Sequence, residues 1–155
     1  MKRYGYKHRS VSISHLPDIQ EAVAKLVRQG MISEKLHSTW HFYLDSNKNL
    51  PTARTIFIIA IPEPITRVKF EWQGHIFCAD IPPNYIFQND ENRASDVLNS
   101  TLNPYKYQIA KAHLALKTLA VRSGLALYGK NNITYVQGIG SFIRLIAFYS
   151  DCPCE

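Results

Sequence analysis

The spacing of apolar residues changes period several times along the chain, and each change marks an element. Between Ser10 and Ser14, Val11 and Ile13 alternate with serines, the period-two pattern of a short strand. From Leu16 to Gln29 the period becomes helical, with Leu16, Ile19, Val23, Leu26 and Val27 on one stripe. Ser14 suits the cap, Pro17 and Asp18 suit the first turn, and Gly30 stands where a left-handed stop is wanted. A second segment, Ser33 to Tyr43, is aromatic and histidine-rich and reads more weakly as helix. Ser46 to Asn49 is a loop.

The run Thr55 to Ile61 is continuously apolar and β-branched, which predicts a strand buried on both faces and stopped by Pro62 and Pro64. A hairpin follows. Val68, Phe70 and Trp72 alternate with polar residues, Gln73-Gly74 supplies the turn, and His75 to Ala79 returns. Asp90 to Leu98 reads as a short helix. The longest helix is predicted from about Pro104 to Ser123, because Ile109, Ala112, Leu116, Leu119 and Ala120 follow helical spacing and Gly124 ends it. Ile133 to Val136 and Phe142 to Phe148 read as strands on either side of Gly138-Ile139-Gly140. With no repeat and no linker, residues 1–155 read as one α/β (α+β) domain, a mixed sheet flanked by helices.

Composition agrees with a folded domain. The 155 residues are 46% apolar and 12% aromatic, enough to offset the entropy of ordering the chain. No apolar run approaches the ~20 residues that span a bilayer, and no signal core follows the basic N-terminus, so a cytoplasmic setting without a membrane is expected. Three cysteines, Cys78, Cys152 and Cys154, make no disulfide framework. The net charge of +6 fits an anionic cofactor or a nucleic acid, and equally a solvated basic surface.

Chemistry-bearing motifs are sparse. His37 and His41 have the spacing that puts two imidazoles on one helix face, but no third ligand is near, so they read as packing residues. Cys152-Pro153-Cys154 lacks a second cysteine pair, and no metal site is expected. No nucleophile elbow, Walker loop or dinucleotide fingerprint is present. No carboxylate falls between Asp96 and Asp151, which denies that third of the chain an acid–base pair. What stands out is Arg122 to Ser141. Four glycines there let backbone approach a ligand and expose N–H groups, while Lys130, Asn131, Asn132 and Ser141 bring polar groups and Tyr128 and Tyr135 flat apolar surface. This is the composition of a wall for a large planar ligand with a polar edge, or of an ordinary helix–loop–strand connection.

Leu119 to Asn131, followed by Gly140-Ser141-Phe142, resembles the cobalamin-domain motif of the epoxyqueuosine reductase family, and Leu50 to Pro62 resembles a strand of the same family. The resemblance implies a nitroreductase-like cobalamin-binding domain, with Gly124, Tyr128, Gly129, Lys130, Asn131, Gly140 and Ser141 lining the corrinoid pocket. It also implies a ferredoxin-like module carrying two 4Fe-4S clusters as electron donor, and tRNA as a partner, since the family's reductases convert epoxyqueuosine to queuosine in tRNA. The chain is then expected to be a fragment, with the cluster ligands in a C-terminal module. Ala110 falls where the reductases carry a proton-donating aspartate, which leaves the exact substrate unassigned and the catalytic residues unknown. Two other readings stay open: a non-catalytic binding domain, and a flavin-binding domain of nitroreductase type.

Overall fold

The computed structural model describes residues 5–39, 49–82 and 89–154. A four-stranded sheet organises the fold, with β1 (Lys7–Ser12), β2 (Thr55–Pro62), β8 (Ile143–Ser150) and β5 (Ile109–Lys111) in the order β1-β2-β8-β5, every neighbouring pair antiparallel. The buried strand expected from the apolar run is β2. Its even positions Ile56, Ile58 and Ala60 face one core layer, and its odd positions Ile59 and Ile61 face another. Burying isoleucine this fully stabilises by about 2 kcal/mol per side chain, so β2 anchors both layers.

Each layer is closed by helices. On one face, Leu16, Ile19 and Val23 of α1 (Leu16–Arg28) pack with Leu119 and Ala120 of α4 (Leu116–Arg122). On the other, Ala94 and Leu98 of α3 (Asn89–Leu102) pack beside Tyr6. The α1 helix ends as its sequence implies. Gly30 takes a φ of 70°, its N–H donates to the Val27 carbonyl, and Met31 N–H donates to Leu26. A short α2 (Glu34–Thr39) occupies part of the segment read as a weak helix; Trp40 to Tyr43 lie outside the described residues, and with them His41.

The long helix expected from Pro104 to Ser123 does not form. Pro104 starts only a 3-10 turn, Asn103–Tyr105, and Lys106 then enters the left-handed region at φ 63°. The chain extends as β5, with Ile109 opposite Ser150 and Lys111 opposite Phe148, and only Leu116–Arg122 is α-helical. The apolar spacing across Ile109 and Ala112 satisfies a helix, but the outer edge of β8 offers a strand partner. Asp151 helps to hold the extended path by accepting from Gln108 N–H at 2.8 Å.

The expected hairpin is present as β3 (Thr66–Trp72) and β4 (His75–Ile81), in register with Phe70 opposite Phe77. It forms a separate two-stranded sheet, exposed along its whole length. Cross-strand pairing gathers Val68, Phe70, Trp72, Phe77 and Ile81 on one side of the ribbon, with Arg67, Lys69, Glu71 and Asp80 on the other.

Candidate functional site

Residues 124–141 fold as a tight double turn. Strands β6 (Leu127–Tyr128) and β7 (Thr134–Tyr135) make a miniature hairpin whose turn is closed by Gly129 N–H donating to Ile133 and Asn132 N–H donating to Gly129. A second turn brings Val136 to Gly140, each N–H donating to the other's carbonyl at 2.9 Å. Gly124 N–H donates to Val121. The N–H groups of Gly124, Gly129 and Gly140 are therefore engaged within the protein. This corrects the expectation that these glycines offer backbone donors to a ligand: they shape the turns.

The aromatic part of the expectation fares differently. Leu127, Tyr128, Ile133 and Tyr135 in this stretch, and Phe142 just after it, are all exposed large side chains. Tyr128 and Asn132 form one side of a groove of about 450 Å³. Val23 and Leu26 of α1, with Ile32 just beyond that helix, supply part of its apolar wall, and Leu114 to Thr118 supply the rest. Lys130, Asn131, Gly140 and Ser141 stand outside that wall, and Gly124 lines a separate small cleft with Lys7 and Arg9. Of the seven residues singled out by resemblance, the groove takes Tyr128 alone. Its other walls come from two distant segments, and sequence reasoning missed them because those residues carry no motif, only core-like apolar spacing.

Among the described residues, no carboxylate lines the groove. Its proton-bearing side chains are the Tyr128 hydroxyl and the Lys117 ammonium, with Thr118 and Asn132 as neutral polar groups. Ala110 lies on β5 opposite Tyr149. Cys152 is buried at the end of β8, where its carbonyl accepts from Thr55 Oγ1 at 2.8 Å and its N–H donates to Ser150 Oγ at 3.2 Å. Among the described residues no group of three or more His, Cys, Asp or Glu side chains is arranged to hold a metal ion. Nor is any helix there long and apolar enough to cross a membrane.

No protein-family model matches the sequence, and no curated protein matches it. Solved structures do. The chain aligns with epoxyqueuosine reductase from Streptococcus thermophilus at a TM-score of 0.64 and 16% identity, over 99% of this chain and 44% of that one. This is the epoxyqueuosine reductase fold. Epoxyqueuosine reductase from Bacillus subtilis, in a structure with its catalytic loop swung out of the active site, gives 0.57 at 16% identity over 96% of this chain and 42% of that one. An epoxyqueuosine reductase with an epoxyqueuosine-modified tRNA-Tyr stem loop gives 0.56 at 15% identity, with 96% and 42% covered. The chain thus spans less than half the length of the epoxyqueuosine reductases it resembles. The α/β architecture expected from the sequence is the one found.

Proposed function

We propose that this chain is the cofactor-holding part of an oxidoreductase built on the epoxyqueuosine reductase fold, and that the groove beside Tyr128 receives the edge of a corrinoid. The observation that carries the reading is that the motif segment meets that groove at Tyr128, on a fold aligned over 99% of the chain. A corrinoid presents a broad, nearly flat apolar face fringed with amide side chains. Leu26, Leu114 and Leu116 match the face, and Asn132, Thr118, Tyr128 and Lys117 match the fringe with donors and acceptors. The groove is too small to enclose a whole corrinoid, so the macrocycle would lie partly outside it.

When bound, the corrinoid supplies a redox-active cobalt. The protein's part is to exclude water along the apolar wall, orient the macrocycle through the amide fringe, and offer protons from Tyr128 and Lys117. That no carboxylate lines the groove among the described residues favours a second reading, in which the domain binds its ligand without catalysing a reaction. In the first reading, electrons come from a ferredoxin-like module with 4Fe-4S clusters, or from a separate donor, in a cytoplasmic setting. A tRNA substrate agrees with the +6 charge and with the stem loop bound by one structural neighbour. Gly129, Lys130, Asn131, Gly140 and Ser141 then act by fixing the double turn that carries Tyr128, and Gly124 by ending α4 ahead of it.

Titrating the purified chain into hydroxocobalamin while following the corrinoid absorption bands tests the reading. A saturable spectral change, weakened about tenfold in Tyr128→Ala by loss of one buried aromatic contact, is expected. An unchanged spectrum at saturating protein would overturn it, and yellow protein with flavin fluorescence would replace the corrinoid by a flavin.

A further inference from the structure

The small cleft that Gly124 lines, of about 90 Å³, lies beside β1, an end strand of the main sheet. Cross-strand neighbours share a face, so Lys7 opposite Ala60 and Arg9 opposite Ile58 stand on the face that α1 and α4 cover. Leu125 and Val136, both members of that core layer, line the cleft as well, and Gln137 brings an amide. The second turn, Val136 to Gly140, closes it on the side of Lys7. A Cβ placed on Gly138 would lie 3.5 Å from Lys7 Nζ, so the ammonium rests against this turn. Gln137 N–H lies inside the turn's bonded ends and donates to no backbone carbonyl among the described residues.

The charge of this cleft is uncompensated. Two cations two residues apart on one strand have α-carbons roughly 7 Å apart, close enough to repel. Among the described residues no carboxylate lines the cleft, and neither Lys7 nor Arg9 forms an ion pair. Arg9 Nη1 donates to the carbonyl of its neighbour His8 at 3.3 Å, and a neutral acceptor cancels no charge. His8 itself feels these surroundings: its ring is held below the ordinary value first by partial removal from water and then by nearby positive charge. The apolar floor of Leu125 and Val136 keeps water from screening the cations on that side.

We propose that this cleft is a site for the phosphate of a phosphomonoester, with the Arg9 fork and the Lys7 ammonium meeting its oxygens and Gln137 completing the cradle. A phosphomonoester carries nearly two negative charges and three strong acceptors on one compact group, which matches two cations and an amide around a space of this size. A phosphodiester, as in a nucleic-acid backbone, brings a single charge and answers only one of the two cations. The site shares no lining residue with the groove beside Tyr128, and it does not depend on a corrinoid being bound.

The test uses the whole chain with methyl phosphate and dimethyl phosphate, read by amide chemical shifts. Ionic strength is held constant, at about pH 7.5, where the monoester is close to doubly charged. The expected result is saturable shifts at Lys7, Arg9, Gln137 and Gly138, with methyl phosphate binding at least tenfold tighter than dimethyl phosphate. Lys7→Ala and Arg9→Ala, both at exposed positions, should each weaken methyl phosphate about tenfold by loss of one charge-assisted contact. Lys69→Ala, on the β3–β4 ribbon, removes the same charge elsewhere and should leave the affinity unchanged. Equal or tighter binding of the diester would overturn the proposal in favour of a nucleic-acid backbone. So would equal weakening by Lys69→Ala, or shifts that grow without saturating.

Discussion

A Cβ placed on Gly129 would lie 2.5 Å from Cε2 of Tyr135 and 2.9 Å from Oδ1 of Asn131. The Tyr135 ring folds back over the β6–β7 turn and leaves room there for hydrogen alone. Gly129→Ala must therefore push the ring aside or open the turn, at a cost of about 2 kcal/mol by analogy with overpacked sites. The turn sets the position of Tyr128, so the same substitution should weaken corrinoid binding although Gly129 lies outside the groove wall. Chemical denaturation and the spectral titration read the two effects separately.

Glu63 and Arg144 make a second test of a local arrangement. Glu63 Oε2 is buried with no hydrogen-bond partner among the described residues, while Oε1 meets Arg144. Removing Glu63 takes away the carboxylate that Arg144 Nε meets at 2.6 Å in a setting largely closed to water. Glu63→Ala should cost about 3 kcal/mol, whereas Glu63→Leu with Arg144→Met should cost much less, since apolar replacements of similar size fill the space without a charge to desolvate. Denaturant midpoints for both variants check the ordering; a double variant no better than the single one would contradict it.

The contrast between what could be read in advance and what could not has a physical pattern. β2 was legible because a continuous β-branched run has few alternatives, and α1 because its stripe, first turn and glycine stop agree. β5 was hidden: three residues carry little period, and Ile109 with Ala112 imitates a helix until the free edge of β8 is known. The glycines of residues 124–141 were conspicuous, but a glycine needed for a turn and one needed for a ligand look alike in sequence. Only the hydrogen-bond partners of Gly124, Gly129 and Gly140 separate the two. The groove joins Val23, Leu114 to Thr118 and Tyr128, a set scattered along the chain, so no motif marks it.

No residue of the β3–β4 ribbon belongs to either core layer, and across it run the stacked pair Phe70–Phe77, with ring centroids 5.5 Å apart, and the two-pronged pair Arg67–Asp80. A two-stranded ribbon is marginal in water without such pairs. Phe70→Ala removes about 1 kcal/mol of cross-strand interaction and should let the ribbon open locally. Amide exchange from Arg67 to Asp80 should then accelerate several-fold while exchange in β2 and β8 stays as in the parent. Uniform acceleration across the whole chain would mean that the ribbon is coupled to the core.

His8 gives the pH dependence a definite sign. Its ring is held below the ordinary histidine value, first by partial removal from water and then by nearby positive charge, with Arg9 as the smallest contributor. The folded state therefore binds fewer protons at His8 than the unfolded state does between the depressed value and the ordinary 6.5. Stability should rise with pH through that window, be fully present above it, and fall as the pH drops and the ring must charge. His8→Gln cannot take up a proton, so its melting temperature should lose this part of the slope below neutral pH. Parallel melting curves for parent and variant across the window, with the same slope at every pH, would show that the ring charges equally well in both states.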